Sequence, residues 1–261
     1  MLAVASLHIY PVKSCGSIPV RQMTLDGRGP VGDRRFMIVD DDGRFLTQRE
    51  EPTLALVRPT LVKGGVLLDA PSLETLEVRA DGARRAVQVW SSELEAIDMG
   101  DEVAEWLSNH LSRTVRMVRM APDVIRPVDA PYGNGETSVA FADGFPLLVT
   151  HTASLDELNE RLEQPVIMER FRPNLVVTGG EPWAEDGWRT LRVGDLRISL
   201  VKPCKRCIVI NVAPETGETS KEPLRTLATY RCVTQGEVIF GQNAVHEGPG
   251  TLEVGDEVRV S

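Results

Sequence analysis

Short apolar runs, alternating or β-branched and cut every few residues by Gly, Pro or Asp, recur along most of the chain. They confine it to a barrel or sandwich made mainly of strands. Residues 2–10 alternate and stop at Pro11. Residues 35–39 run into Asp40-Asp41-Asp42-Gly43 and then 44–47, the spacing of a hairpin with a four-residue loop. Residues 54–57 and 65–68 read as further strands, and Leu76, Val78, Val87 and Val89 continue the alternation. Later strands are expected at 174–178, 196–201, 207–212 and 237–240. Helical spacing is rarer. Val103, Trp106, Leu107, His110 and Leu111 share one face of a helix over 101–113. Ser154 with Glu157 has the form of a capping box opening a second helix, whose apolar face is Leu155, Leu158 and Leu162. Residues 224–231 suit a third, short helix. Residues 122–135, rich in Pro and Gly, predict an irregular segment at a domain junction or active-site loop. The fold class is mainly β with a few helices, α+β.

At 261 residues the chain has room for one large or two modest domains. Its 29 basic and 38 acidic residues leave a net charge of -9, which disfavours a nucleic-acid face built on clustered cations. No apolar run approaches the ~20 residues that span a bilayer. The N-terminus lacks the basic region of a signal peptide. A cytoplasmic protein without a membrane partner is expected. Four cysteines are too few for a disulfide scaffold in a chain of this size.

Lys202-Pro203-Cys204-Lys205-Arg206-Cys207 carries the most chemistry, and several readings of it stand open. Structural zinc wants two paired clusters, and Cys15 and Cys232 are isolated. A thioredoxin-like pair wants its Cys at a helix start, whereas Cys207 leads into a β-branched run. Two packed, inert thiols are the plainest alternative, but Lys205 and Arg206 between them suit a thiolate better than an apolar core. Strand parity would place Ile208, Ile210 and Val212 on one face, with Cys207 and Asn211 on the other. On that reading Cys207 faces a site as a reactive or metal-binding thiolate.

Three further segments carry charge. In Tyr10-Pro11-Val12-Lys13-Ser14-Cys15-Gly16, a cation, a hydroxyl and turn N–H groups can cradle an anion, or simply form a surface loop. Arg172 and Asn174, at a strand start, suit phosphate or carboxylate, or a surface ion pair. In Asp33-Arg34-Arg35-Phe36, one Arg is expected to enter a site and the other to be solvated. No Walker loop or G-x-G-x-x-G occurs. His110 reads as a packed residue of its helix.

Taken in order, YPVKSC, RFRPN, PCKRC and Phe240-Gly241-Gln242-Asn243 resemble the MOSC family. The likeness is greater to its two-domain branch, which includes the amidoxime-reducing components and bacterial relatives. It covers nearly the whole chain, including TQREEP at 47–52, residues 152–158 and Asp195. The resemblance implies an N-terminal β-barrel-like domain, residues 1–118, packed on a MOSC β-barrel domain, residues 119–261, with a molybdenum cofactor (molybdopterin) between them. By the same resemblance Cys207 ligates the molybdenum and is the catalytic position, with Cys204 its neighbour. Lys13, Ser14, Arg35, Arg172, Asn174, Lys205 and Arg206 match positions that hold the pterin and its phosphate. Asn243 matches a further contact with Gln242 beside it. Asp143 and Gly144 align with a cofactor-proximal loop, where Phe145 departs from the small polar residue of some relatives.

The implied activity is reduction of N-hydroxylated small molecules: amidoximes, hydroxylamines or N-hydroxylated purines. Neither an iron–sulfur Cys spacing nor a membrane anchor is evident. Electrons are therefore expected from a separate donor, a ferredoxin, flavodoxin or flavin reductase, steered by the acidic surface. The alternatives are a cofactor carrier or sulfur-transfer module without turnover, and a thiol or zinc protein without molybdenum.

Overall fold

Seven strands close into a barrel. Around it run Leu147–His151, Leu175–Thr178, Leu2–Ile9, Glu257–Val260, Thr190–Val193, Leu196–Lys205 and Glu237–His246. The last returns to the first through Leu147↔Ala244, Leu148↔Asn243 and Val149↔Gln242. Only the pair Leu147–His151 and Leu175–Thr178 is parallel. Closure removes the unpaired edges that an open sheet would present. These observations come from a computed structural model, which describes residues 1–79, 82–133, 137–233 and 236–261.

Alternation supplies the barrel core: Val149, Val177, Leu191, Val193, Ile198, Leu200 and Val258 turn inwards from five different strands. A bulge between Val4 and Ser6 shifts the parity of the first strand, so that Val4, Leu7 and Ile9 all reach this core. That first strand lies between Leu175–Thr178 and Glu257–Val260. Likewise Gln22–Asp26 pairs with Gly250–Glu253. The first strands of the chain, as far as Asp26, thus pair in space with strands from its second half.

The other unit is a half-barrel. Phe36–Val39, Arg116–Met120, Ser92–Asp98 and Arg84–Val89 form one antiparallel sheet, and Arg58–Val62, Gly65–Asp69 and Leu76–Val78 a meander. The helix Asp101–Leu111 buries Val103, Leu107 and Leu111 against Ile38, Leu46, Val66 and Met117, as its spacing predicts. His110 is half-buried on its flank, 3.1 Å from the Thr53 carbonyl. The expectations at 65–68, 76–78, 87–89, 196–201 and 237–240 fall within observed strands, and that at 174–178 does so from Leu175, whereas 44–47, expected as a hairpin arm, makes only the isolated bridges Arg44↔Gln88 and Val39↔Phe45.

Three local expectations fail, each for a stated reason. Residues 54–57 fall not in a strand but in and just after the 3-10 turn Pro52–Leu56, because Pro52 sits at the helix start where its fixed φ and missing N–H are tolerated. The second helix, Thr152–Glu160, begins earlier than Ser154 and is capped by His151, whose Nδ1 accepts from the Ala153 N–H at 3.1 Å. Ser154 instead donates to Glu185 Oε2 at 2.9 Å and accepts from the Trp183 N–H at 2.8 Å. Residues 207–212 are not a strand either. The ladder of Leu196–Lys205 shifts register around Pro203, which has no N–H to give, and the chain curls at Cys207 into the one-turn helix Ile208–Asn211. The strand-parity argument therefore falls: Ile208 is 50% exposed and Asn211 buried, its Oδ1 accepting from the Leu224 N–H at 3.0 Å. The third helix is shorter than expected, Leu224–Ala228. Residues 122–133 are irregular as predicted, while Gly135 lies outside the described residues.

Asp98 ties the half-barrel together. Burial by itself would raise its pKa, but hydrogen bonds from Arg116, the Gly100 N–H and Arg85 outweigh it and hold the carboxyl down at about 2. The folded pKa is depressed, so this stabilisation is complete above about pH 4 and drains as pH falls through about 2. Asp98→Asn is expected to cost about 1.5–3 kcal/mol at neutral pH, the range for hydrogen bonds to charged groups. Urea titrations at pH 7 and pH 3 check it: the deficit should be smaller at pH 3.

Candidate functional site

Where the barrel mouth meets the half-barrel, a cavity of 530 Å³ opens, and residues from both halves line it. Lys13 and Ser14 reach it from the turn after the first strand. That turn is held by the Lys13 N–H donating to the Phe36 carbonyl at 2.8 Å and by Gln48 Nε2 donating to the Ser14 carbonyl at 2.6 Å. Asp143 and Gly144 come from the loop before Leu147–His151. Arg172 and Asn174 come from the bend before Leu175–Thr178. Cys204, Lys205, Arg206 and Cys207 come from the end of the long strand, and Asn243 from the strand beside it.

Most of the residues singled out in the sequence therefore converge: Lys13, Ser14, Asp143, Gly144, Arg172, Asn174, Lys205, Arg206, Cys207 and Asn243. Arg35 and Gln242 do not. Arg35 turns away to the Asp26 carboxylate, at 2.8 and 2.9 Å, and its neighbour Arg34 takes the place at the cavity. Arg34 sits in the turn before Phe36–Val39 at φ 45, so its side chain leaves the backbone in a different direction from that of Arg35. Gln242 is buried and donates to Asp186 Oδ1 at 2.9 Å. Three lining residues escaped the sequence reading: Arg49, Arg170 and Lys202. All three stood in segments already quoted, Arg49 in TQREEP, Arg170 in RFRPN and Lys202 just before PCKRC, but nothing in a single sequence says which basic residue of a segment turns inwards.

Eight basic side chains line this cavity against two carboxylates, Asp129 and Asp143, in a protein whose net charge is -9. Several of the cations are already engaged. Arg206 gives Nε and Nη2 to the Phe240 carbonyl, at 2.9 and 2.7 Å, and Nη1 to the Phe171 carbonyl at 2.9 Å. Its guanidinium therefore pins the strand Glu237–His246 to the Met168–Phe171 turn. Lys205 pairs with Glu237. Lys13 donates to the Phe141 carbonyl at 2.9 Å and to Asp143 Oδ1 at 2.5 Å. Burial lowers the Lys13 pKa against the pull of Asp143, while Asp143, which burial would raise, is driven below the ordinary carboxylate range chiefly by Lys13. Both stay charged.

Arg34 and Arg172 both stack on Tyr10, with guanidinium carbons 4.2 and 4.3 Å from its ring centroid. Arg34 is neutralised by Asp33, at 2.8 and 2.7 Å, and is steadied by Asn174 Oδ1 at 3.1 Å. Asn174 spends its amide on the His8 carbonyl and Asp33, and its oxygen also accepts from the Leu148 N–H. Arg172, at φ 56, donates Nη1 to the Cys15 carbonyl at 2.7 Å. Its Nη2 is buried with no partner, and burial followed by the nearby Arg34 charge lowers its pKa. Among the described residues no carboxylate pairs with it. A buried cation with a vacant donor is stabilised by an incoming anion.

The two thiols differ. Cys207 is half-buried, caps the one-turn helix and lies 3.3 Å from Arg49 Nη2. For Cys204, burial pushes the thiol pKa up, against the pull of Arg206. Cys15 is fully buried, pushed up to about 12, and has no part in the cavity. Among the described residues no three His, Cys, Asp or Glu side chains converge in a way that could hold a metal ion. No helix is long and apolar enough to cross a membrane.

Comparison with known proteins agrees with this two-part architecture. Residues 1–114 match the MOSC N-terminal beta barrel domain and residues 136–259 the MOSC domain. Human mitochondrial amidoxime-reducing component 1 is 35% identical over 98% of this chain and 82% of its own. Rat mitochondrial amidoxime reducing component 2 is 35% identical over the same shares of each chain, and the Xenopus laevis component 1 is 32% identical over 98% and 81%. The chain belongs to the MOSC family, in the branch that joins a MOSC N-terminal domain to a MOSC domain.

Proposed function

We propose that the protein is a molybdenum-cofactor-dependent reductase of N-hydroxylated small molecules, with Cys207 as the protein's ligand to the metal. The observation that carries this reading is the donor set. Cys207, one of two half-buried thiols in a cavity rich in cations, has a guanidinium nitrogen at 3.3 Å, and a vacant buried guanidinium donor stands on the wall. A single thiolate cannot hold a metal unaided, so a metal here has to arrive with its own chelator. Sulfur is the donor a soft, sulfur-rich centre takes, and an anionic phosphate tail is what Arg172 lacks. The relatives' printed names, amidoxime-reducing components, support the substrate class.

On this reading Lys13, Ser14, Arg34, Arg172 and Asn243 hold the cofactor. Asn174 and Arg206 act through them, since their own donors are spent on Asp33, His8 and backbone carbonyls. Asp143 fixes the Lys13 ammonium at the cavity wall. When bound, the cofactor supplies the two-electron chemistry; the protein supplies ligation, orientation and field. A separate one-electron donor of the ferredoxin, flavodoxin or flavin-reductase type completes the reaction.

The test is molybdenum and pterin analysis of protein from molybdate-supplied cells, with benzamidoxime reduction driven by a reduced viologen. Stoichiometric zinc without molybdenum would overturn the reading, and molybdenum without reduction would make the protein a carrier. The two arginine positions give a sharper comparison. Arg172→Ala should lose most bound molybdenum, because it removes a charge-assisted contact of roughly 1.5–3 kcal/mol. Arg35→Ala should keep its metal, since that side chain faces Asp26. The reverse pattern, read by elemental analysis, would restore Arg35 to the site.

A further inference from the structure

Arg49 belongs to the N-terminal half and has no part in the cofactor cradle described above. Its Nη2 lies 3.3 Å from Cys207 Sγ, and its guanidinium carbon 5.0 Å from the Trp90 ring centroid. Trp90 is itself held from two sides. Its indole N–H donates to Asp143 Oδ1 at 3.1 Å, and its ring packs on Phe45 at 4.9 Å between centroids, tilted by 59°. Trp90 occupies the turn between Arg84–Val89 and Ser92–Asp98 at φ 54. Turns of this kind favour Asn, Asp or Gly, and a bulky residue there is strained. The indole also stays 41% exposed. Neither turn geometry nor core packing explains a tryptophan in this position, whereas bracing Arg49 does.

The charge that is braced is available. Arg49 is exposed on the cavity side, and among the described residues it forms no ion pair with a carboxylate. A guanidinium offers five N–H donors and no acceptor, and keeps its charge across all working pH values. One donor meets the Cys207 sulfur, and among the described residues the guanidinium makes no other hydrogen bond. An N-hydroxylated substrate reacts at an oxygen that is a hydrogen-bond acceptor, and that oxygen has to approach the metal bound by Cys207. The donors of Arg49 stand on that approach.

We propose that Arg49 is the substrate-recognition residue of the site, donating to the nitrogen-bound oxygen of the substrate, and that Trp90 is the positioning residue that holds its guanidinium beside Cys207. This rests on the function proposed above and deepens it. The half-barrel then does more than close the cavity, because it carries the group that tells an N–O compound from an amidine lacking the oxygen. A donor placed to meet that oxygen discriminates against the deoxygenated product, which has nothing there to accept.

The experiment compares wild type with Arg49→Ala, Arg49→Lys, Trp90→Ala and Trp90→Phe, all from molybdate-supplied cells. Molybdenum and pterin content, the Kd of benzamidoxime by calorimetry without reductant, and KM and kcat with a viologen donor are read for each. Arg49→Ala should keep its metal and pterin while weakening benzamidoxime binding roughly 10- to 100-fold, the worth of a charged hydrogen bond. Arg49→Lys should recover part of that loss. Trp90→Ala should raise KM more than it lowers kcat, and Trp90→Phe should restore most of the binding, because a flat ring is what the guanidinium needs. Loss of molybdenum from Arg49→Ala would make Arg49 a cofactor clamp and overturn the assignment, as would unchanged benzamidoxime binding. Wild-type protein that carries molybdenum yet neither binds nor reduces benzamidoxime would instead overturn the function proposed above, and this inference with it.

Discussion

A fragment of residues 119–261 is expected to give the poorly dispersed amide spectrum of a collapsed, unfolded chain, although it contains the whole segment that matches the MOSC domain. The barrel does not close without Leu2–Ile9, which pairs with Leu175–Thr178 on one side and Glu257–Val260 on the other. Removing it opens two edges and strips Val4, Leu7 and Ile9 from the core. At about 1.5–3 kcal/mol for each buried side chain, the loss is roughly 5–9 kcal/mol, which is comparable with the whole stability of an ordinary domain. Met23 and Leu25, also absent from the fragment, pack on the same core through the pairing of Gln22–Asp26 with Gly250–Glu253. A cooperative thermal transition and a dispersed spectrum from this fragment would show that the first strand is dispensable. The site would suffer as well, since Lys13, Ser14, Arg34 and Arg49 all precede residue 119.

Cys207→Ala is expected to abolish both bound molybdenum and amidoxime reduction, while Cys204→Ala retains most of each. The two sulfurs stand three residues apart but in different surroundings. Cys207 is open to the cavity with a guanidinium nitrogen at 3.3 Å, which suits a thiolate. Burial raises the pKa of Cys204, which favours the neutral thiol, a poor ligand. Losing the only protein donor to a metal removes the bond that anchors it, whereas losing a neutral neighbour leaves a small void. Elemental analysis and viologen-driven turnover on the two variants decide between them. Equal loss in both would mean that the sulfurs act as a pair and that the division of roles drawn here is wrong.

Much of the site was readable before any coordinates. Cys207, Lys13, Arg172 and Asp143 lie in segments whose residue chemistry or resemblance marks them, and the cavity gathers them from both halves. The misreadings are local and share a cause. Arg35 and Arg34 are equal in sequence, and only the turn before Phe36–Val39, with Arg34 at φ 45, decides which of them meets Asp26 and which meets Asp33. Residues 207–212 have the composition of a strand, but Pro203 breaks the preceding ladder, and the buried Asn211 stabilises a turn instead by accepting from Leu224. Ser154 has the grammar of a helix cap, yet Glu185, 31 residues away, claims its hydroxyl.

Sequence alone determined the strand-rich class and the segments that bring thiols and cations close together, because alternation, turn residues and thiol–cation spacing are local properties of the chain. The tertiary structure decided that the first strand closes the second domain, that Arg34 rather than Arg35 faces the cavity, and that Arg49, stacked on Trp90, reaches Cys207 from across the interface. Those outcomes depend on which surfaces meet. A side chain's partner across an interface is set by the free energy of packing two whole units together, and no window of neighbouring residues contains it.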